Sequence, residues 1–216
     1  MLETDILIET IYEASVVPEH WPNVLKSLAE YSGCKGGMLV ANPQRPDVRW
    51  VASENLVAPM TAYARDGWAT RNPKPGRLAN LRHPGFVCDS DLFTLHELEN
   101  EPLYVELSRP HGFWFSVGTM ITVPTGDLLV FDIQRAYGRP PIEREAVDRL
   151  DGVRPHLARA AAAFAQAGGH RPPHRQPLLP ADVPQQRSAA AAGHFDPTAA
   201  GAWCLRLCAP RRLVLA

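Results

Sequence analysis

The stretch IEREAVDRLDGVRPHLARAAAAFAQA, residues 142–167, determines how the rest of this sequence is interpreted. Its apolar residues mostly recur every three or four positions, which is the period of one face of an α-helix. They are Ile142, Ala146, Val147, Leu150, Val153, Leu157, Ala160, Ala161 and Phe164. Because Pro155 has no amide hydrogen, we expect it to kink or divide this helix near Val153.

The predicted helix separates two regions of different composition. Residues 1–167 contain regular apolar patterns, whereas residues 168–216 are rich in proline, alanine and arginine and have no such pattern. A segment of that kind cannot bury enough apolar surface to become ordered. We therefore predict a folded domain over residues 1–167 and a disordered tail over residues 168–216. The composition of the tail also matches translation of a GC-rich gene in a wrong reading frame.

The charge and the apolar runs exclude several classes of protein. The 216 residues carry a formal net charge of −1, and residues 168–216 contain six arginines and two aspartates, which leaves −5 for residues 1–167. Such a chain has no global field that attracts nucleic acid or an anionic membrane. No apolar run approaches the roughly 18 residues of a membrane span. The acidic N-terminus does not resemble a signal peptide and the four cysteines are scattered, so we expect a cytoplasmic protein.

The order of the predicted elements indicates an α+β fold. Two helices are followed by a hairpin, a helix, a loop, a short strand, short helices, a second hairpin and the long helix. The hairpins occupy residues 38–53 and 111–134, the middle helix residues 60–68, the loop residues 72–84 and the short strand residues 85–88. This order favours an antiparallel sheet covered by helices. Folds of this kind often enclose a cavity between the sheet and the helices.

Several segments of the sequence resemble one family of regulators. They are TIYEASVVPEHWPNVLKSLAEYSGCKGGMLV at residues 10–40, LYVEL at 103–107, RPHG at 109–112 and PHLARA at 155–160. Together they resemble the N-terminal sensor domain of LuxR-type helix-turn-helix transcriptional regulators, over about residues 3–166. The resemblance implies a PAS/GAF-like fold, a ligand-sensing and dimerising role and no enzymatic activity.

The sequence departs from that family after the long helix. LuxR-type regulators continue into a helix-turn-helix domain that reads the major groove of DNA. Residues 168–216 contain no pair of amphipathic helices, so no DNA-binding residues are assigned. We therefore expect a sensor domain that is truncated before its DNA-binding domain and that does not bind a specific nucleic acid.

Candidate residues for metal or thiol chemistry are few. His170, His174, Cys204 and Cys208 have spacings that fit a zinc site poorly, so we predict no metal and no cofactor. Cys34 precedes Lys35, which could lower the pKa of its thiol, and Cys88 ends a predicted strand. A GAF-like thiol enzyme that uses Cys34 or Cys88 therefore stays open as an alternative.

Aromatic and basic residues suggest a ligand site. The candidates are Trp50, Tyr63, Trp68, Arg109, His111, Trp114 and Phe131. They lie on predicted strands, on the helix between the hairpins, or next to a strand. Such residues could line a pocket for a small apolar or aromatic ligand, and the alternative is that they are ordinary core residues.

The long helix also suggests how two chains could associate. Leu150, Leu157 and Phe164 form a stripe about 21 Å long at 1.5 Å per residue, longer than packing on a typical strand requires. We therefore predict a homodimer with these three residues in its interface. A module that binds another protein through its terminal helices is the remaining alternative.

Overall fold

The computed structural model describes residues 2–43, 48–124 and 126–166, which form a central sheet with helices on both faces. The strands are β1 (Gly36–Ala41), β2 (Arg49–Ala52), β3 (Val87–Cys88), β4 (Phe113–Thr122) and β5 (Leu128–Ala136). The helices are α1 (Leu2–Val16), α2 (Trp21–Tyr31), α3 (Val57–Arg65), α4 (Trp68–Arg71), α5 (Lys74–Leu81), α6 (Asp89–Leu92), α7 (Leu95–Asn100) and α8 (Arg144–Gln166). A π-helical segment covers Leu103–Ser108, and short 3-10 turns cover Pro18–His20, Glu54–Leu56 and Arg109–His111.

The sheet has the strand order β2-β1-β5-β4-β3, and every neighbouring pair is antiparallel. Both hairpins that the sequence predicts are present, so the prediction of an α+β fold with an antiparallel sheet covered by helices is confirmed. Side chains of β5 alternate between the two faces of the sheet, as the pleat requires. Leu129, Phe131 and Ile133 join the core on one face, whereas Val130 and Asp132 point to the other.

The helices α1, α2 and α8 cover the first face of the sheet. The spacing of Trp21, Val24, Leu25 and Leu28 predicts one apolar face for α2, and all four side chains are buried. α8 packs along α1 and contributes the largest share of apolar residues to the same core. This layer is therefore a continuous hydrophobic core.

α8 is not divided at Pro155. It continues from Arg144 to Gln166 with the proline inside it, so the prediction of a division near Val153 is wrong. Pro155 lies on the exposed side of the helix, while Val153 and Leu157 on either side of it are fully buried. Because the core holds the helix on both sides of the proline, the loss of one backbone hydrogen bond does not end it.

The shorter helices cover the second face of the sheet and differ most from the prediction. Residues 74–81 form α5, although the sequence predicts a loop there. Pro75 lies in the first turn of this helix, where an amide hydrogen is not needed, and Leu78 is buried. The helix predicted over residues 60–68 is instead the separate helices α3 and α4, because Gly67 between them has a left-handed φ of 72°.

Gly37 marks the closest approach of α2 to the sheet. A Cβ atom at this position would lie 2.7 Å from the Leu25 carbonyl oxygen and 2.9 Å from Ile133 Cδ1. We expect Gly37→Ala to lower the free energy of unfolding by about 1–3 kcal/mol, since backbone and core would have to move. Urea unfolding followed by circular dichroism measures the change.

Gly76 in α5 provides the control for that substitution. A Cβ atom there has no neighbour within 4 Å, and its backbone is helical. Gly76→Ala should therefore raise the free energy of unfolding by about 0.4–1 kcal/mol. Equal effects at the two glycines would contradict the close packing of α2 on β1.

No helix among the residues that the structure describes is long and apolar enough to cross a membrane. The predicted disordered tail, residues 168–216, lies outside the described residues.

Candidate ligand-binding cavity

A cavity lies between the sheet and the helices on its second face. Most of its wall is aliphatic, with Met38, Val40 and Val130 from the sheet and Met60, Leu103 and Leu107 from the helices. The cavity volume is about 70 Å³. A mainly apolar wall with a few polar groups is typical of sites for small organic molecules.

One wall of the cavity contains a buried ionic cluster, which consists of Lys74, Asp89, Ser116 and Asp132. The Lys74 ammonium lies 2.6 Å from Asp132 Oδ1 and 2.7 Å from Asp89 Oδ1. It also donates a hydrogen bond to the Ser116 hydroxyl. The Ser116 amide in turn donates to Asp89 Oδ2 over 2.7 Å. The cluster therefore joins the start of α5 to the sheet and to α6.

The neighbouring charges shift the pKa values of this cluster. Burial disfavours the charged form of Lys74, but the carboxylates of Asp132 and Asp89 outweigh burial and raise the pKa of Lys74. Burial raises the pKa of the Asp89 carboxyl, and Asp132 adds to this shift although Lys74 opposes it. The pKa of Tyr104 is also well above its ordinary value, because the hydroxyl is buried and faces the charges of Asp89 and Asp132. Lys74 is therefore cationic at neutral pH.

Gly118 makes room for the ionic cluster within the sheet. It pairs with Asp132 across β4 and β5, and a Cβ atom on it would lie 3.1 Å from Asp132 Oδ1 and 3.8 Å from Lys74 Cε. A side chain at this position would crowd the Asp132 carboxylate, whereas its contact with Lys74 would be an ordinary van der Waals contact. The small residue thus leaves room for the carboxylate that pairs with Lys74.

A second polar group on the wall is centred on Tyr63. The Asn72 side-chain amide donates to the Tyr63 hydroxyl over 3.2 Å, and Asn72 Oδ1 accepts from the backbone amide of Lys74 over 2.9 Å. Burial raises the pKa of Tyr63, so its phenol stays protonated. Its hydroxyl proton can therefore be donated to a ligand.

The structure brings two of the seven predicted ligand residues to this cavity. Tyr63 of α3 and Trp114 of β4 line it from opposite sides. The Trp114 ring stacks on Tyr137 with a centroid distance of 5.0 Å, and the Arg109 guanidinium lies 4.5 Å from the Trp114 centroid. Arg109 therefore supports a lining residue but does not itself line the cavity.

The other predicted residues lie elsewhere. Trp68 and His111 border a separate, open groove on the outer side of α3. His111 Nδ1 is 2.7 Å from the Leu107 carbonyl oxygen, and Trp50 packs from β2 against the apolar cluster behind the cavity wall. The prediction of one common pocket for all seven residues is therefore wrong, because the fold distributes them over the cavity, the groove and the core.

Phe131 is a core residue on the opposite face of the sheet. It has no exposed surface, and its ring lies 5.8 Å from that of Trp21 in α2. The prediction that Phe131 lines the ligand pocket is wrong, because side chains of β5 alternate and this one points to the first face. Its neighbours Val130 and Asp132 point into the cavity instead.

The apolar stripe of α8 is largely covered by the chain itself. Leu150 and Leu157 have no exposed surface and belong to the core shared with α1 and α2. The prediction that these two side chains contact a second chain is wrong, because α1, α2 and the sheet already cover them. The side chain of Phe164 lies outside those that the structure describes.

The cysteines of the folded domain have environments that disfavour reactivity. Cys88 is buried, and Cys34 is half-buried. Burial raises the pKa of the Cys34 thiol, even though Ser32 and Arg135 oppose the shift. Since the thiolate is the reactive form, this weighs against the alternative of a thiol enzyme that uses Cys34. Among the described residues, no group of three metal-ligating side chains occurs.

Sequence reasoning missed the ionic cluster. Lys74 lies among prolines and glycines in a segment that reads as a loop, so nothing there indicates a buried lysine. Asp132, in contrast, could have been identified from the sequence, because it is a charged residue within the otherwise apolar run LLVFDI at residues 128–133. A carboxylate inside a central strand requires a buried partner, and its position relative to β4 would have suggested a polar site.

Comparison with solved structures shows the class of this fold. CepR2 from Burkholderia cenocepacia is an N-acylhomoserine lactone dependent transcription factor of the LuxR family. It is 17% identical to this chain, with a TM-score of 0.57 over 76% of this chain and 96% of that one. The VqsR LBD domain from Pseudomonas aeruginosa is 12% identical with a TM-score of 0.54, over 75% of this chain and 96% of that one. The chain therefore has the fold of the ligand-binding domains of LuxR-family regulators, as the sequence resemblance implied.

SdiA of Escherichia coli shares this fold over part of its length. The structure of SdiA in complex with octanoyl-rac-glycerol is 21% identical, with a TM-score of 0.54, over 71% of this chain. The present chain spans 62% of the SdiA chain. No protein-family model matches the sequence, and no curated protein matches it significantly in sequence.

Proposed function

We propose that this chain is a ligand-sensing regulatory domain whose cavity binds a small molecule with an apolar body. The observation that carries the proposal is the cavity itself, which combines an aliphatic wall with the Tyr63 hydroxyl and the ionic cluster. An apolar wall supplies affinity and a few fixed polar groups supply orientation, which is the usual design of a small-molecule site. The shared fold with regulators supports a sensing role rather than catalysis.

The ligands of the structural neighbours guide the choice of probes. CepR2 is described as dependent on N-acylhomoserine lactone, and SdiA was crystallised with octanoyl-rac-glycerol. Both molecules combine an acyl chain with a polar head. We therefore propose that the cavity takes a ligand of this general shape, and that the domain itself binds no specific DNA sequence.

The ligand proposal is tested by filling the cavity. Val130 lines it from β5, and Val130→Phe should weaken the binding of every cavity ligand by about ten- to hundred-fold. The physical reason is an overpacking cost of about 1–3 kcal/mol when ring and ligand compete for one space. Thermal shift with octanoyl homoserine lactone, octanoyl glycerol, octylamine and octanol identifies binders, and calorimetry measures their affinities.

Thr122→Phe provides the control for that experiment. It adds the same ring at the exposed end of β4, away from the cavity. Binding should be unchanged in this variant. If none of the probes binds the unmodified chain, the proposal of a ligand-sensing domain fails.

A homodimer is a separate part of the proposal. Ile6 on α1 is 61% exposed and Val16 is 81% exposed, which is unusual for large apolar side chains on one helix. We propose that this surface of α1, together with the end of α8, contacts a second copy of the chain. Light scattering of the purified chain at micromolar concentration measures its mass, and a monomer would refute this part.

A further inference from the structure

We infer that the cavity selects ligands whose polar head is a protonated amine, held against Asp132. This inference rests on the proposed function, because it specifies the chemistry of a ligand for the same cavity. It starts from the charges of the ionic cluster. Two carboxylates, those of Asp89 and Asp132, face a single ammonium, that of Lys74, so the ionised cluster has a net charge of −1.

Lys74 is already engaged by three groups of the cluster. Its ammonium donates hydrogen bonds to Ser116 and Asp132 and forms an ion pair with Asp89. A carboxylate head of a ligand would therefore compete with these groups for Lys74 and would meet an excess of negative charge. Burial is the main cause of the raised pKa of the Asp89 carboxyl, and the charge of Asp132 adds to it.

Asp132 is the carboxylate that a ligand can reach. Asp89 has no exposed surface, whereas the side chain of Asp132 keeps 10% exposure and lines the cavity. Its Oδ1 accepts from Lys74 and shares the single hydroxyl proton of Ser116 with Asp89 Oδ2, while its Oδ2 accepts a single hydrogen bond of 3.2 Å from the Gln134 amide. A carboxylate oxygen accepts two hydrogen bonds, so Oδ2 retains one position for a donor from the cavity.

The surrounding groups suit an amine attached to an apolar body. Gln134 also lines the cavity, and its amide oxygen is a further acceptor beside Asp132. A cation at this point would neutralise the buried net charge, which is costly when it has no partner. The aliphatic wall formed by Met38, Val40 and Leu103 then receives the rest of the molecule. The structure thus favours alkylamines over neutral or acidic molecules of equal length.

Three probes with the same eight-carbon chain test this inference on the unmodified full chain. They are octylamine, octan-1-ol and octanoate, measured by isothermal titration calorimetry at neutral pH. We expect octylamine to bind about ten- to hundred-fold more tightly than octanol, which is the effect of one buried charged hydrogen bond. Octanoate should bind more weakly than octanol.

Two variants test whether the preference for an amine arises at Asp132 and whether the ligand binds in the cavity. Asp132→Asn keeps the shape of the side chain and removes its charge, so octylamine should lose its advantage while octanol binding stays the same. Val130→Phe should weaken octylamine and octanol together. If Asp132→Asn does not fold, the order of the three probes on the unmodified chain and the effect of Val130→Phe still decide the question.

The possible outcomes separate this inference from the proposed function. If octanol, octanoate or octanoyl homoserine lactone binds as tightly as octylamine, the preference for an amine is refuted and the ligand-sensing proposal stands. If octylamine binds equally well to Val130→Phe, it binds outside the cavity and the inference is also refuted. If no probe binds at all, both fail.

Discussion

Lys74→Met is expected to lower the free energy of unfolding by about 3–5 kcal/mol, the cost of breaking a buried ion pair by removing one partner. Methionine fills similar space but leaves Asp89 and Asp132 buried without a cation. Urea unfolding at neutral pH, followed by circular dichroism, measures the change. The control is Lys26→Met, because Lys26 pairs with Glu30 on the exposed face of α2 and should change the stability by less than about 1 kcal/mol.

The pH dependence of this variant has a definite sign. Burial already raises the pKa of the Asp89 carboxyl, and without Lys74 it rises further in the folded state, so the folded chain takes up a proton that the unfolded chain does not. A group whose folded pKa is raised stabilises the fold below its unfolded pKa and loses that contribution as pH rises. The destabilisation by Lys74→Met should therefore shrink as pH falls from 8 toward 5. A loss of stability that is independent of pH would contradict the ionic role of Lys74.

Leu157→Ala is expected to lower the free energy of unfolding by about 2–5 kcal/mol, which is the range for removing a large aliphatic side chain from a packed core. Leu157 has no exposed surface within the single chain, so the loss arises inside one protomer. The change should therefore be the same at low and high protein concentration. Urea unfolding at two concentrations that differ a hundred-fold measures both quantities.

Arg159→Ala, two residues further along α8, is the matched control. Arg159 is exposed and donates one long hydrogen bond of 3.4 Å to the Tyr12 hydroxyl. It should change the stability by no more than about 0.5 kcal/mol. If the effect of Leu157→Ala disappears on dilution, Leu157 is an interface residue after all and its place in the core is wrong.

The sequence by itself determined the class of fold and most of the elements. The period of three and four in α2 and α8, and the short turn between β4 and β5, are local signals that the structure reproduces. They are reliable because the spacing of apolar residues decides which face of an element is buried. The resemblance to LuxR-type sensor domains rests on the same local patterns.

Predictions from local sequence patterns failed where the tertiary environment of a residue decides its structural role. Pro75 is predicted to lie in a loop, yet it lies in the first turn of α5, where a helix tolerates proline because no amide hydrogen is needed there. Leu157 belongs to an apolar stripe that must be buried against another surface. The sequence does not say whether that surface belongs to the same chain or to a second one. Only the position of α8 against α1 and the sheet decided that it is the same chain.

The candidate site depended on tertiary structure almost entirely. Lys74 and Asp132 are 58 residues apart, and they meet because α5 packs against β4, where Gly118 leaves room for the Asp132 carboxylate. The direction of Phe131, away from the cavity, follows from a register that no single strand specifies. A pattern along the chain reports which residues are buried, whereas the partner of a buried charge is set by how distant segments pack.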